Sequence, residues 1–179
     1  MRNILGVSAG FHDAALSVIN PQGDILFAAH SERYSKKKND ADLCPDIVKE
    51  LYGTEIGTIA YYERPWLKQL RQVYAGQGVE WNKITAGQIL RQQLRPFLMA
   101  DAKIHSYSHH LSHAAAGFQT SPYDRATVVV IDAIGEWDTI SIYGAEYDSQ
   151  GQAQYKKLWG QKYPHSIGLF YSAITQRVG

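Results

Sequence analysis

Short apolar runs, separated by residues that favour turns, make up the first thirty positions. Residues 4–8 and 14–20 are two such runs, and the second is rich in β-branched residues. Residues 21–23, Pro-Gln-Gly, follow, where Pro presets φ and Gly accepts a positive φ. A third run, residues 24–30, can then pair back onto the second as a hairpin. The pattern predicts a three-stranded meander.

Helical and extended patterns alternate from residue 45 to residue 120, after a polar loop. Pro45 is placed to begin a helix, and Ala86, Leu90 and Leu94 recur at helical spacing. The pattern predicts helices at 45–52, 66–74, 85–99 and 110–120 and strands at 58–62 and 103–107.

The opening pattern returns after residue 123. Strands are predicted at 127–132, 139–147 and 153–161, and a helix at 166–177. A meander followed by helices and strands, and then a second meander, indicates a duplicated α/β domain. On that interpretation residues 1–123 form one complete lobe and residues 124–179 begin a second. The alternative is that two unrelated meanders share a simple pattern.

Composition and charge favour a folded protein and argue against a disordered, nucleic-acid-binding or membrane-spanning one. The 179 residues are 45% hydrophobic and 20% charged, which is typical of a folded chain. A net charge of +1 gives no electrostatic reason to expect nucleic-acid binding. The single cysteine, Cys44, fits a reducing compartment. No apolar stretch approaches the roughly 20 residues of a membrane helix, and no signal peptide is recognised, so we expect a cytoplasmic protein without membrane contact.

The histidines form the strongest chemical pattern, since four of the seven lie within residues 105–113. His109 and His113 are four residues apart, which places both imidazoles on one face of a helix. Two neutral imidazoles in that arrangement can share one metal ion. The small residues at 114–117 favour this interpretation. The alternative is a helix end whose histidines only cap or pack.

A two-histidine site needs an anionic oxygen ligand. Asp132 is favoured because it ends the apolar run 128–131, and α/β folds place their sites at the carboxyl ends of strands. Glu136 and Asp138 are rival ligands, and Asp132 serving as a turn residue is the other interpretation. Two histidines with one carboxylate are typical of a site for Fe(II) or another divalent ion.

Two segments of the first half have the chemistry of phosphate sites. Residues 6–14 form a small-residue turn whose backbone N–H groups can face a phosphate. His12 within it is a candidate acid or base, or else an ordinary loop histidine. Residues 31–40 include three consecutive lysines ending at Lys38. They form either a solvated loop or a source of positive charge for a phosphate-bearing ligand.

Four passages together carry a family resemblance: residues 4–19, 32–38, 109–114 and 129–137, the last of which continues into residues 163–173. The histidine cluster and the Pro-His-Ser-x-Gly sequence beginning at Pro164 are the specific ones. The chain resembles the N-terminal part of the O-carbamoyltransferases of the nodulation and antibiotic-tailoring family.

The resemblance implies a fold and an activity. The family's catalytic domain is similar to that of tRNA threonylcarbamoyl transferases, an actin-like fold of two ribonuclease-H-like lobes, which agrees with the predicted duplication. A second, adenylate-forming domain makes carbamoyl-adenylate from carbamoyl phosphate and ATP. The actin-like domain then transfers the carbamoyl group to a hydroxyl of a sugar-containing or natural-product acceptor. Its metal, typically iron, holds the nucleotide phosphates.

The resemblance also assigns residues by motif position. It implies that His109, His113 and Asp132 are metal ligands and that His12 and Lys38 are catalytic, at the carbamoyl and phosphate end of the pocket. The residues expected to bind the cofactor are Ser8, Gly10, Ser166 and Gly168.

The chain departs from the wider group in two respects. Its opening loop has Ser8-Ala9-Gly10 where other actin-like ATPases have a phosphate-binding aspartate, so ATP hydrolysis by this loop is not expected. The rest of the second lobe, a further metal ligand and the adenylate-forming domain are also missing, so we expect the chain to be an inactive part of a longer enzyme.

The expected partners are carbamoyl phosphate, ATP, a small hydroxyl-bearing acceptor and the adenylate-forming domain, with a homodimer as one candidate assembly. Two other interpretations stay open. One is a non-catalytic actin-like lobe that binds a nucleotide or a partner protein. The other is an RNA-binding protein with a basic loop, which the near-zero net charge disfavours.

Overall fold

A computed structural model describes residues 2–95, 97 and 101–179 of the chain. The chain divides into two compact units, Met1–Tyr107 and Ser108–Gly179. The sequence-based boundary, after residue 123, assigned the helix near residue 110 to the first lobe. In the structure this helix packs on the second sheet and lies in the second unit.

The first unit contains a five-stranded mixed sheet in the order β3-β2-β1-β4-β5. β1, β2 and β3 pair antiparallel as the predicted meander, and β4 and β5 continue the sheet in parallel with β1. The strands are β1 (Asn3–Ser8), β2 (Ala15–Ile19), β3 (Ile25–His30), β4 (Ile56–Tyr61) and β5 (Lys103–Ser106). All five strand predictions are confirmed to within two residues.

In the part of the first unit that the structure describes, four α-helices and one 3₁₀ turn pack with this sheet. They are α1 (Ser31–Ser35), α2 (Pro45–Lys49), α3 (Pro65–Tyr74) and α4 (Ala86–Gln93), with a 3₁₀ turn at Trp81–Lys83. Leu5, Ile47, Ile59 and Ile89 are among the side chains of their common core. This burial of apolar residues from both layers is what holds the helices on the sheet.

Three helix predictions need correction. Residues 31–35 form α1 where a loop was expected. α2 stops at Lys49, because the amides of residues 50–52 bond to carbonyls three residues back and tighten the chain into turns. α4 ends at Gln93, since Pro96 disfavours helical geometry in the residue before it. The predicted end of that helix, Met99, lies outside the described residues.

The second unit contains a three-stranded antiparallel sheet in the order β6-β7-β8. Its elements are α5 (His109–Gln119), β6 (Arg125–Gly135), β7 (Asp138–Tyr147), β8 (Ala153–Lys162) and α6 (Ile167–Val178). α5 lies on the face of the sheet where Ala114, Val130 and Tyr143 form a small buried cluster. The predicted strands and helices are confirmed here, although β6 runs three residues beyond Asp132.

The architecture is therefore mixed α/β, as expected. Each unit contains an antiparallel meander, and the origin of that likeness in a duplication stays a prediction. None of the helices in the described residues combines the length and apolar character that a bilayer crossing requires.

Candidate metal centre

The N-terminal turn of α5 meets the end of β6 within the second unit. His109 begins the helix and is buried, whereas His113, one turn later, is exposed. Asp132 lies on β6 and is partly buried. The predicted helical spacing therefore aligns the two imidazoles, and packing of α5 on β6 brings the carboxylate to them.

The three side chains present a converging set of ligand atoms. Asp132 Oδ2 lies 2.9 Å from His109 Nε2, and His113 Nε2 lies 3.1 Å from the same nitrogen. All three ligand atoms lie within 4.8 Å of one another. Ligands at right angles around a metal, each about 2.0–2.1 Å away, are about 2.9 Å apart. The separations of 2.9 Å and 3.1 Å match this spacing, so the group could hold one divalent ion with further coordination positions left open.

The electrostatics favour an ionised carboxylate at this place. A hydrogen bond with His109 lowers the pKa of Asp132 to about 2, against the opposing effect of burial. Asp132 Oδ1 also accepts a 2.6 Å hydrogen bond from the backbone N–H of Ala133. The ligand is therefore charged and its carboxylate plane is held in place throughout the neutral range.

The structure separates Asp132 from its two rivals. Glu136 Oε1 accepts a 3.3 Å hydrogen bond from the backbone N–H of His109, so its carboxylate contacts the helix end. Asp138 Oδ2 pairs with Lys157 Nζ at 2.7 Å. Among the described residues only Asp132 joins the two histidines in a metal-binding group.

His110 points into the second sheet and not toward the two ligand histidines. It is 2% exposed, and its Nδ1 lies 2.8 Å from Ser141 Oγ on β7. Burial lowers the pKa of His110 to about 4, so the ring is neutral at pH 7. The one-residue offset from His109 indicates only that His110 faces another direction on the helix, so the sequence could not identify this buried contact.

Ser166 and Gly168 attach α6 to the ligand-bearing strand. Ser166 Oγ donates to the carbonyl of Ala133 at 2.7 Å and accepts from the N–H of Leu169 at 3.0 Å, so it caps the helix. A Cβ on Gly168 would lie 2.6 Å from the Ala133 nitrogen, so only glycine permits this approach. The structure thus gives both residues a packing role beside Asp132, and cofactor binding stays a prediction.

In the first unit, Ser8 is the last residue of β1, and Gly10 and His12 lie in the turn that follows. The N–H of Gly10 donates to the carbonyl of Ala41 at 2.7 Å, so this donor is used within the fold. His12 is exposed, and its Nδ1 lies 3.1 Å from Asp13 Oδ2. With Nδ1 facing this carboxylate, Nε2 is the ring nitrogen left for contact with a ligand.

Lys38 lines a surface cavity of about 540 Å³ in the first unit. The cavity is bordered by Asp13, Lys36 and Asn39, each with a positive φ between 47° and 58°. Non-glycine residues adopt this geometry only where surrounding contacts impose it. The segment that carries the lysines therefore has a defined backbone conformation around this cavity.

The first unit also contains a buried ion pair, next to the turn that carries His12, which the sequence did not predict. Glu63, which follows β4, is 1% exposed and lies 3.4 Å from Lys68 Nζ of α3. Lys68 Nζ also lies 3.3 Å from the ring centroid of Phe11, the residue before His12. A lysine on an amphipathic helix is usually solvent-facing, so no local pattern could have identified this pair.

Two comparisons relate the chain to known proteins. The family described as carbamoyltransferase N-terminus matches residues 72–179, which include all three candidate metal ligands. A relative from Synechocystis sp. strain PCC 6803, described as an uncharacterized protein, is 32% identical over 206 aligned residues. The alignment covers the whole of this chain and 32% of the relative, so the chain spans about a third of that protein's length.

Proposed function

The chain belongs to the carbamoyltransferase family through its N-terminal domain, and on that basis we propose that it is part of a metal-dependent O-carbamoyltransferase. The observation that carries the proposal is the group of two histidines and one carboxylate within 4.8 Å, inside the matched residues. The proposed reaction moves a carbamoyl group from carbamoyl-adenylate to a hydroxyl of a sugar-containing or natural-product acceptor.

His109, His113 and Asp132 are the residues that would hold the metal. When bound, Fe(II) or another divalent ion would supply positive charge that stabilises the phosphate of the leaving nucleotide. The low pKa of Asp132 favours this role because the carboxylate needs no deprotonation before it binds a cation. The exposed ring of His113 leaves this side of the group accessible.

The first unit supplies the groups proposed for proton transfer and phosphate binding. In the reaction the acceptor oxygen forms a bond to the carbamoyl carbon, the bond from that carbon to the phosphate oxygen breaks, and AMP leaves. The acceptor proton passes to His12 Nε2, the ring nitrogen that does not contact Asp13. Lys38 supplies positive charge to the phosphate. Ser8, Gly10, Ser166 and Gly168 remain the proposed cofactor-binding residues.

The fold supports an actin-like assignment as part of this proposal. The order β3-β2-β1-β4-β5, with a meander followed by two parallel strands, fits a ribonuclease-H-like lobe. The β6-β7-β8 meander followed by α6 fits the beginning of a second such lobe. On this proposal, the rest of the second lobe and the adenylate-forming activity belong to a longer protein, about the length of the relative, of which this chain is a part.

An acceptor that contains sugar rings is favoured by the aromatic side chains around α3. Trp66, Tyr74 and Trp81 are 53%, 70% and 74% exposed. These rings are therefore not part of the core of the first unit. Exposed aromatic faces are the surfaces on which sugar rings stack, through their apolar C–H groups.

The first test is anaerobic Fe(II) titration of the chain, with and without an adenine nucleotide. We expect one Fe(II) per chain, lost in the His109→Ala/His113→Ala variant and retained in His105→Ala, which removes an exposed histidine of β5. Absence of binding by the folded wild-type protein would overturn the proposal.

The second test uses a longer protein that contains this chain and has about the length of the relative, supplied with ATP, carbamoyl phosphate and a sugar-containing acceptor that bears a hydroxyl group. We expect carbamoylated acceptor, and loss of turnover without loss of folding in His12→Ala and Lys38→Ala. A non-catalytic binding lobe would give no product with any acceptor while still binding nucleotide.

A further inference from the structure

Glu136 occupies an unusual position for a charged residue. It is the first residue of the two-residue turn between β6 and β7, and its φ is +58°. Glycine is the usual residue at a turn position that needs positive φ, because it has no Cβ. Glu136 is also 5% exposed, whereas turn residues are normally solvated. A strained backbone and a buried charge together indicate that the carboxylate has a specific function here.

The carboxylate is directed at the first residue of α5. Glu136 Oε1 accepts from the backbone N–H of His109 at 3.3 Å. Ser108, the N-cap residue, makes no side-chain capping bond. The N–H groups of a first helical turn need acceptors, and the positive end of the helix dipole favours an anion. Glu136 therefore caps α5 from 27 residues away in the sequence.

One short segment, residues 132–136, therefore contacts both the ring and the backbone of His109. Asp132 Oδ2 contacts its ring Nε2 at 2.9 Å, and Glu136 Oε1 contacts its backbone N–H. Between the two carboxylates, Gly135 packs so closely that a Cβ would lie 2.5 Å from His109 Cδ2. The depth and rotation of the first turn of α5 are thus set by the segment that also carries the carboxylate ligand.

We propose that Glu136 is a positioning residue for the metal ligands, which fixes the first turn of α5 so that His109 and His113 face Asp132. The inference depends on the proposed metal site and goes beyond it, since Glu136 lies outside the group of three candidate ligands. Removing its carboxylate frees the helix end, and the imidazole nitrogens then depart from the spacing that one ion requires. Loss of a supporting contact of this kind typically weakens metal binding about 10–100-fold.

The test compares four variants of the whole chain by Co²⁺ titration, monitored by the visible spectrum of the bound ion, and by thermal unfolding in EDTA. Glu136→Gly removes the carboxylate and relaxes the backbone, and Glu136→Gln keeps the shape without the charge. Asp138→Asn is the matched control for charge, because it removes a carboxylate from the same hairpin. Ser108→Ala is the control for the helix end.

We expect Glu136→Gly to weaken Co²⁺ binding at least about tenfold and to alter the spectrum, with a Tm in EDTA equal to or above that of the wild type. Glu136→Gln should fall between it and the wild type, and both controls should stay within about threefold of the wild-type Kd. Wild-type affinity in Glu136→Gly, or an equal loss in Asp138→Asn, would overturn the inference alone. A wild-type protein that binds no Co²⁺ or Fe(II) would overturn the proposed function as well.

Discussion

His110 and Ser141 join the first turn of α5 to β7 through a buried hydrogen bond of 2.8 Å between Nδ1 and Oγ. His110 Nε2 has no hydrogen-bond partner among the described residues. Burial lowers the pKa of the ring from 6.5 to about 4, mainly through desolvation. The folded protein therefore holds this imidazole neutral at a pH where the unfolded chain has already protonated it.

The first prediction is acid sensitivity arising from His110. Between about pH 6.5 and pH 4 the unfolded chain binds a proton that the folded chain does not, so stability falls as pH falls. The difference amounts to about 3 kcal/mol at most. Urea unfolding in EDTA across this range should show the decline, and His110→Gln should reduce it. His105→Gln, at an exposed position, is the control. An unchanged pH dependence in His110→Gln would contradict the assignment.

The second prediction concerns the close packing of Gly135 against the first turn of α5. Gly135→Ala places a Cβ 2.5 Å from His109 Cδ2 and 2.6 Å from His110 Cδ2. Rings buried in a packed interior cannot move aside without cost, so we expect a loss of about 1–3 kcal/mol and weaker metal binding. Gly117→Ala on the same helix is the control, because its Cβ meets nothing within 4 Å. That variant should be as stable as the wild type or slightly more so. Equal effects of the two substitutions in urea unfolding would count against this packing.

The third prediction separates charge from shape at the carboxylate ligand. Asp132→Asn keeps an oxygen that can accept from the Ala133 N–H but removes the negative charge. We expect more than about tenfold weaker Fe(II) binding with the fold retained. Anaerobic titration and circular dichroism measure the two effects. If affinity is unchanged, the anionic ligand is another residue.

The fourth prediction concerns the buried ion pair of the first unit. Lys68→Met removes the cation 3.4 Å from Glu63, which is 1% exposed. Removing one partner of a buried carboxylate costs about 1–3 kcal/mol, so we expect this variant to be less stable than the wild type. Adding Glu63→Gln should recover much of that loss. The exposed pair Lys49–Asp46 supplies the control, since Lys49→Ala should change stability little. Equal stability of Lys68→Met and the wild type in urea would show that this pair is not a structural element.

Much of the fold could be predicted because it depends on local periodicity. The alternation of apolar residues identified every strand, and the Pro-Gln-Gly turn located the first hairpin. The helix ends were predicted less well. α1 is held by Ser31 Oγ, which donates to the carbonyl of Asp42 and accepts from the N–H of Cys44. Such contacts form only after the chain has folded back.

For the candidate site, the sequence by itself determined that His109 and His113 share a helix face, since the 3.6-residue repeat requires it. It also indicated a carboxylate near the end of the following strand, although β6 continues to Gly135. Only the tertiary structure decided which carboxylate meets the histidines, because Asp132, Glu136 and Asp138 lie within seven residues and differ mainly in direction. Tertiary packing gives each carboxylate its own contact, at 2.7–3.3 Å: Asp132 meets the ring of His109, Glu136 meets the backbone N–H of His109, and Asp138 meets Lys157. Residue spacing alone carries no information at that scale.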